Sequence, residues 1–273
     1  MPAPIAKSRI AASPFGALLR EWRLLRRFSQ VELSLRSGIS TRHLSYAETG
    51  RSRPSRQTVQ LVAEALDVPL RERNALLLAA GYAPHYLETA LDAPKLGLIR
   101  RAIDVTLAQH EPFPAFVLNR TWDIQLANAG TDRVLGGLCP GGPKHNNIVR
   151  QVFDPEDLRP FIENWNEVAG DLLGHLHHAV HQHPTDDETR ALLDEALSYP
   201  DIPGRMRSLD FTAGPLPVLV TAFRKDDLRL SFFSTLTRFV STTDIAVEET
   251  RIECMYPADE ATRSFCVSTS DVA

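Results

Sequence analysis

The chain has 273 residues, of which 43% are hydrophobic and 23% are charged, and its formal net charge at pH 7 is −4. This length suits two domains that each bury a core, and the composition excludes a disordered or collagen-like chain. Three widely spaced cysteines exclude a disulfide framework, and no apolar run suggests a secretory leader or a membrane span. We therefore expect a cytoplasmic protein with no membrane partner.

Positive charge is concentrated at the start of the chain. Residues 1–56 contain eleven Lys and Arg but three Asp and Glu, so this segment carries +8 and the remainder −12. Clustered arginine is typical of phosphate binding, although a solvated basic surface would give the same count. The acidic remainder should repel DNA, so we expect only the N-terminal part to contact it.

The N-terminal part of the sequence predicts a compact unit of short helices. Apolar spacing, caps and breakers place them at residues 15–28, 30–36, 41–49, 56–66 and 70–80. Ser29 and Glu32 form a predicted capping box at the start of the second helix, and Ser40 can cap the third. Gly38 lies where the turn between these helices needs a residue that tolerates positive φ.

The second and third helices predict a helix-turn-helix that reads DNA. Such a unit needs the first turn of its second helix to be free to touch bases in the major groove. That turn is polar here, while Leu44 and Ala47 face back toward the core. Simple packing of a helix pair is the alternative interpretation.

Residues 15–69 resemble the phage-repressor-like, or XRE, helix-turn-helix proteins. The resemblance rests on SQ at the start of the second helix, GIS at the turn, LSYAETG through the third helix, and PS before the fourth. Ser34 departs from the family pattern, which usually has Ala there, but it keeps a small residue at the position. Two such modules on a palindromic operator imply a homodimer.

The resemblance implies a set of residues that contact double-stranded operator DNA. These are Gln30, Ser40, Thr41, Arg42, Tyr46, Arg51, Arg53 and Arg56. Thr41, Arg42 and Tyr46 fall at base-facing positions, and an arginine can pair with guanine through two hydrogen bonds. Gln30 corresponds to a phosphate contact at a helix N-terminus. The three later arginines lie on the loop that holds the DNA backbone. The resemblance also implies that Arg23 and Glu48 form a structural pair.

After a linker near residues 92–94, the pattern changes to mixed helices and strands. We expect helices at residues 95–110, 129–135 and 154–183, and another that is capped by Thr185 and ends near Pro200. Strands are expected at residues 115–118, 121–128, 217–223, 227–239 and 247–255. The fold class is therefore an all-α five-helix domain at residues 1–92, followed by an α+β domain with an antiparallel sheet at residues 93–273.

The second domain resembles the MmyB-like ligand-binding domains from about residue 114 onward. The resemblance is carried by PAFVLNRTWDIQLANA, with Trp122, Asp123 and Asn128 its clearest residues, and by FDPEDLRP. It implies a PAS-like sheet with helices over one face and a pocket between them. It also implies a small apolar ligand, with a fatty acid as the leading candidate, and no obligatory cofactor.

Apolar residues of the second domain are compatible with such a pocket. The candidates are Phe116, Leu118, Trp122, Ile124, Leu126, Trp165, Val168, Leu172, Phe223, Phe232 and Phe239. An ordinary packed core is the alternative interpretation for each of them. A ligand carboxylate would need a cation, and Arg205 and Arg207 are the candidates.

A cluster of histidines offers a different interpretation of the second domain. His175, His177, His178, His181 and His183 fall on one predicted helix, at spacings that can chelate a transition metal. No Cys or Glu stands at a matching third position, so a polar helix face is the simpler interpretation. A metal-responsive regulator and a dimeric DNA-binding protein without an effector remain alternatives. No phosphate-binding glycine loop, GxSxG or HExxH motif is present, so we expect no enzyme.

Overall fold

The computed structural model describes residues 13–204, 218–240 and 242–270. The chain divides into two units, one over residues 1–88 with 243–245 and the other over residues 89–242 with 246–273. The domain limits that we expect from the sequence, residues 1–92 and 93–273, stay a prediction. Arg205 and Arg207 lie outside the described residues.

The first unit contains the predicted helices. They are α1 (Pro14–Leu25), α2 (Gln30–Ser37), α3 (Thr41–Glu48), α4 (Arg56–Ala65) and α5 (Leu70–Ala79). The predicted bounds agree to within one residue, except at the end of α1. That helix stops three residues early because the chain turns there, with Arg27 in the left-handed region at φ +57°.

Local capping explains where α2 and α3 begin. The Ser29 hydroxyl accepts a hydrogen bond from the Glu32 backbone N–H at 3.1 Å, and the Ser40 hydroxyl accepts one from the His43 N–H at 3.3 Å. Gly38 ends α2 at φ +70°, where a residue with a Cβ would be strained. These contacts confirm the predicted caps and turn.

Apolar side chains from all five helices form the core of the first unit. Its largest fully buried members are Phe15, Leu19, Trp22, Leu33, Leu44, Leu66, Leu76 and Leu77. The approach of α1 to α3 is close, since a Cβ on Gly16 would lie 2.6 Å from the carbonyl oxygen of Ala47 and 2.5 Å from that of Glu48. Helix α3 is therefore seated directly on the backbone of α1.

The second unit combines helices with strands. The helices are α6 (Gly97–Gln109), α7 (Ala129–Leu138), α8 (Ile148–Phe153), α9 (Trp165–Gln182), α10 (Asp187–Ser198), α11 (Ile245–Glu249) and α12 (Glu260–Ser270), with α11 at the boundary between the units. The strands are β1 (Ala115–Leu118), β2 (Ile124–Ala127), β3 (Val220–Lys225), β4 (Leu228–Arg238) and β5 (Arg251–Pro257). This is the α+β class that we expect from the sequence.

The strands form one antiparallel sheet in the order β2-β1-β5-β4-β3. One face packs against α7, α8, α9, α10 and α12 in the larger core of the unit. The other face packs against α6, where Ile103 and Leu107 meet Val117, Ile252 and Cys254. The sheet therefore has two separate apolar sides, and which side a residue faces decides its role.

Several predicted elements of the second unit are wrong in detail. The long helix expected at residues 154–183 does not form as one piece: α8 ends at Phe153, a 3-10 turn containing Pro160 follows, and α9 begins only at Trp165. Asp186, not Thr185, caps α10 by accepting a hydrogen bond from the Thr189 N–H at 3.0 Å. Helices α8 and α12 were not expected.

The second and the last of the expected strands also begin too early. Strand β2 starts at Ile124 rather than at residue 121, because Trp122 has φ +66° and turns the chain. Val247 lies in α11 and not in a strand, so β5 starts at Arg251. Both errors arise because alternating apolar residues predict a strand even where the chain turns.

Candidate DNA-contact surface and ligand cavity

The first turn of α3 presents polar side chains to the surface of the first unit. Ser40 and Arg42 are exposed, and Thr41 and Tyr46 are half-buried. The Nε of Arg42 donates to the Tyr46 hydroxyl at 3.2 Å, so these two residues form one surface feature. The guanidinium groups of Arg42 and Arg51 lie 5.4 and 5.9 Å from the Tyr46 ring centroid. Two cations and a phenol therefore share the exposed side of the helix.

A buried ion pair holds α3 against α1. The Arg23 guanidinium donates twice to the Glu48 carboxylate, at 2.7 and 3.0 Å, and a third bond reaches the Phe28 carbonyl at 2.8 Å. Hydrogen bonding to Glu48 raises the pKa of Arg23. Gln30 joins the pair, since its side-chain amide donates to Glu48 at 2.8 Å. The structure thus ties the Gln30 side chain to the core of the helix pair, and its contact with phosphate stays a prediction.

Two of the candidate DNA-contacting arginines are engaged with the end of α5. Arg53 donates to the carbonyls of Ala80 and Gly81 at 3.1 and 3.0 Å, and Arg56 donates to that of Ala83 at 2.9 Å. Cationic side chains at a helix C-terminus satisfy carbonyls that lack helical partners. The sequence does not reveal these bonds, because they join residues about 27 positions apart.

A cavity of about 400 Å³ lies between the sheet and the helices of the second unit. This volume is in the range of small-molecule sites. Its lining includes the candidates Phe116, Trp122, Ile124, Val168, Leu172 and Phe223. Helices α7 and α8 contribute further apolar lining residues that were not predicted from the sequence. They are Val134, Leu135, Leu138, Ile148 and Val152.

The remaining described candidates lie elsewhere in the second unit. Leu118 and Phe232 are fully buried in the core beside the cavity but are not among its lining residues. Trp165 packs edge-on against Phe153 and donates its indole N–H to the Val152 carbonyl at 2.8 Å. These three side chains pack in the same hydrophobic core as the lining residues.

Strand register sends Leu126 and Phe239 to the opposite side of the sheet, next to α6. Ile124 pairs with Leu118 and Leu126 with Val117, so a β-bulge separates two residues that simple alternation would place on the same face. Phe239 follows β4 at odd spacing from Ser234 and Leu236, which line the cavity. Neither residue belongs to the lining.

One part of the lining is polar, and the sequence pattern does not predict it. Asp171 and His175 of α9 meet Ser234 of β4 and Glu253 of β5 at the cavity. The signal in the sequence is a glutamate between two apolar residues of β5, in the segment RIECMYP. The four residues come from three elements that only the tertiary fold brings together.

The histidines of α9 are engaged in different ways. His175 Nε2 lies 3.5 Å from Asp171 Oδ2, and His178 is hydrogen-bonded to Gln182 at 2.8 Å. Across the described residues, no cluster of three His, Cys, Asp or Glu side chains could hold a metal ion. Within the same part of the chain, every helix is too short or too polar to cross a membrane.

The model of the MmyB-like transcription regulator ligand binding domain matches residues 99–266. The chain belongs to this family. A helix-turn-helix model matches residues 19–73, which places α1 to α4 of this MmyB-like regulator in the expected unit. The two family matches indicate a transcription regulator and not an enzyme, as we expect from the sequence.

Curated relatives resemble part of this regulator. The uncharacterized HTH-type transcriptional regulator Rv0023 of Mycobacterium tuberculosis is 40% identical over 65 residues, 24% of this chain and 25% of its own length. The uncharacterized HTH-type transcriptional regulator RghRB of Bacillus subtilis is 37% identical over 82 residues, 30% of this chain and 57% of its own. The matches therefore span about a quarter and just over half of these relatives.

One solved structure, of an RNA-binding Light-Oxygen-Voltage receptor, aligns with 96% of this chain and 64% of its own. Its TM-score of 0.25 and sequence identity of 14% are too low to support any argument about fold or function.

Proposed function

We propose that this MmyB-like regulator binds operator DNA through α3 and that a small apolar molecule in the cavity controls this binding. The proposal rests on the apolar cavity of about 400 Å³ in the second unit. It also rests on the polar first turn of α3, which is exposed on the first unit. A ligand can act only if it prefers one of two states of the regulator, so occupancy and DNA affinity must be linked reciprocally.

The DNA-binding part of the proposal assigns base reading to Thr41, Arg42 and Tyr46. Arg51 contacts phosphate, while Gln30, Arg53 and Arg56 contribute both to the fold and to the backbone contact. Arg42 is the residue that we most expect to contact a base, because it is exposed and its guanidinium is oriented by the Tyr46 hydroxyl. Losing a guanine contact should cost about 1–3 kcal/mol of specific binding.

Mobility shifts on DNA selected by the full chain test this assignment. Arg42→Ala should weaken binding to the selected sequence while leaving binding to random DNA nearly unchanged. Arg229→Ala, which removes an exposed arginine from the second unit, is the matched control. If Arg42→Ala bound selected DNA as tightly as the control, the assignment of base reading would be wrong.

The regulator acts as a homodimer in this proposal, because one module neutralises few phosphates and a palindromic operator offers two half-sites. It acts in the cytoplasm, where its three buried cysteines, Cys139, Cys254 and Cys266, persist as thiols. Sedimentation analysis with operator DNA tests the stoichiometry. One chain per full palindrome would contradict the dimer.

The ligand part of the proposal rests on the shape and apolarity of the cavity. A fatty acid supplies a suitable chain and is the first candidate because of the family resemblance. Native mass spectrometry of the purified chain and thermal shifts with fatty acids and other single-chain amphiphiles test it. Val134→Phe, which adds bulk to the lining, should abolish the shift, whereas Val105→Phe on the exposed side of α6 should keep it.

The two alternatives have separate tests. A metal-responsive regulator would require stoichiometric metal that is lost in His177→Ala and His181→Ala variants. A dimeric DNA-binding protein without an effector would show neither co-purified ligand nor any thermal shift. Neither alternative explains why an apolar cavity persists in the second unit.

A further inference from the structure

The polar part of the cavity is built from two carboxylates, an imidazole and a hydroxyl. Asp171 and His175 lie one helical turn apart on α9, with His175 Nε2 3.5 Å from Asp171 Oδ2. Both side chains are about half exposed, so they stand at the mouth of the cavity. Glu253 and Ser234 lie on adjacent strands, since Glu253 pairs with Leu236 two residues from Ser234. Glu253 is only partly exposed and pairs with Phe116 and Leu236 on its two neighbouring strands, so it lies deeper than Asp171 and His175.

His175 is the basic side chain that shares the described cavity lining with these carboxylates. Among the described lining residues there is no Lys or Arg. Arg251 is the nearest cation on β5, but it donates to the carbonyls of Asn119 and Arg120 at 2.6 and 3.1 Å. Its guanidinium also stacks on Trp122, 4.2 Å from the ring centroid. Arg251 therefore stabilises the turn before β2, and its guanidinium is not directed at a bound head group.

The electrostatics of this end disfavour a ligand carboxylate. Burial raises the pKa of Glu253 and outweighs the Ser234 hydroxyl, Arg251 and His175, which favour the ionised carboxylate. The hydrogen bond to Asp171 raises the pKa of His175. A second anion placed here would meet like charges in a poorly solvated site, whereas a cation or hydrogen-bond donor would relieve them.

We propose that the cavity selects an apolar molecule with a cationic, hydrogen-bond-donating head, of which an alkyl amine is the simplest. The alkyl chain lies among Val134, Leu138 and Leu172, and the ammonium group donates to the carboxylate of Glu253. Asp171 adds negative potential at the mouth, and the Ser234 hydroxyl orients Glu253. This inference rests on the proposed function, because it keeps a single-chain amphiphile in the cavity, and it replaces the carboxylate head of the fatty acid that the family resemblance favours with an ammonium group.

A series of ligands with the same decyl chain tests the head group. Isothermal titration of the full-length chain at mildly alkaline pH compares 1-decylamine, 1-decanol and decanoate below their micelle concentrations. A charge-assisted hydrogen bond should make decylamine bind about tenfold or more tightly than decanoate, with decanol between them. Equal or tighter binding of decanoate would overturn the inference and would leave the proposed function standing. If none of the three bound, the proposed function itself would fail.

Substitution of Glu253 tests which residue provides the selection. Glu253→Gln keeps the shape of the side chain and removes its charge, so decylamine affinity should fall about tenfold while decanol affinity changes less than about twofold. Asp227→Asn removes a carboxylate from the exposed β3–β4 turn and is the matched control. An unchanged preference for the amine in Glu253→Gln would show that Glu253 does not bind the ammonium group.

The sign of the pH dependence is an independent check on the wild-type chain. Between mildly acidic and mildly alkaline pH, rising pH favours the ionised form of Glu253, whose pKa burial raises, and the neutral form of His175, whose pKa the hydrogen bond to Asp171 raises. Arg251 stays cationic over this range, since burial lowers its pKa only to about 10. Decylamine affinity should therefore rise over this range as long as the amine itself stays protonated. For decanoate the same changes should lower affinity. A fall in decylamine affinity with rising pH would contradict the proposal.

Discussion

The two units of this regulator use charged side chains in opposite ways. In the first unit, Arg42 and Arg51 are exposed around Tyr46, where they can meet an external polyanion. In the second unit, Glu253 is drawn into an apolar cavity, where charge is costly without a partner. In our proposal, one unit therefore presents its DNA-contacting groups to water, while the other keeps a carboxylate in an apolar cavity where a ligand head group can bind it.

The units also differ in how their sites are assembled. The candidate DNA-contacting residues all fall between Gln30 and Arg56, so their placement follows from local caps and a short turn. The cavity lining runs from Pro114 to Met255 and depends on strand register. Substitutions can therefore break the first site through its helix contacts and the second through its packing and its charges.

The largest expected effect is in the buried pair that seats α3 on α1. Glu48→Ala leaves Arg23 buried without its carboxylate and should reduce the free energy of unfolding of the first unit by about 3–5 kcal/mol. Amide hydrogen exchange of α1 to α3 peptides in the full chain measures this loss. Exchange in β4 and β5 should be unchanged; equal loss of protection in both units would contradict the assignment.

A smaller effect is expected where the two helices touch through their backbones. Gly16→Ala places a methyl group against the carbonyl oxygens of Ala47 and Glu48, and should cost about 1–3 kcal/mol through displacement of α3. Gly97→Ala, where the added Cβ would have no neighbour within 4 Å, is the matched control in the second unit. Thermal unfolding of both variants would decide; equal melting temperatures would argue against the close packing.

Tyr46→Phe examines the exposed side of α3 without disturbing the core. The substitution keeps the ring beside Arg42 and Arg51 but removes the hydroxyl that accepts from Arg42. Specific DNA binding should weaken by about 1 kcal/mol, since one modest hydrogen bond that orients the guanidinium is lost. Fluorescence anisotropy on selected DNA measures it. Wild-type affinity in this variant would show that Arg42 needs no such support.

The smallest expected effect is a pH dependence that belongs to the second unit. Hydrogen bonds from the Glu156 N–H, His145 and Lys144 lower the pKa of Asp154 to about 2. Because the folded state prefers the ionised form, this stabilisation is present above the ordinary pKa near 4 and is lost as pH falls toward about 2.

Asp154→Asn should reduce the loss of stability of the second unit as pH falls. The acid stability of the first unit should be unchanged if the two units unfold separately. Unfolding followed by exchange in α8 peptides between about pH 4 and pH 2 tests it. An unchanged slope in the variant would show that another carboxylate governs acid stability. Asp227→Asn again provides a control for the loss of one carboxylate.

The sequence predicted the first unit well because its signals are local. Ser29 with Glu32, and Gly38 at the turn, lie within a few residues of the groups that they cap. The bonds from Arg53 and Arg56 to the end of α5 could not be predicted in this way, because they depend on how α4 and α5 pack.

The second unit shows where sequence patterns fail. Alternation placed Ile124 and Leu126 on one face, but the bulge opposite Val117 and Leu118 separates them. The polar end of the cavity was missed because Asp171, Ser234 and Glu253 stand on three different elements. Apolar periodicity identifies what is buried, but it does not tell a packed core from a cavity wall.

The central claim is that occupancy of the cavity changes the affinity for DNA. The most direct measurement titrates selected DNA with the full chain, with and without the decyl amphiphile that binds most tightly, in the wild type and in Val134→Phe. We expect a change of about fivefold or more in the DNA dissociation constant of the wild type, and none in the cavity-filled variant. If the bound amphiphile left the DNA affinity of the wild type unchanged, the account of ligand control would be contradicted.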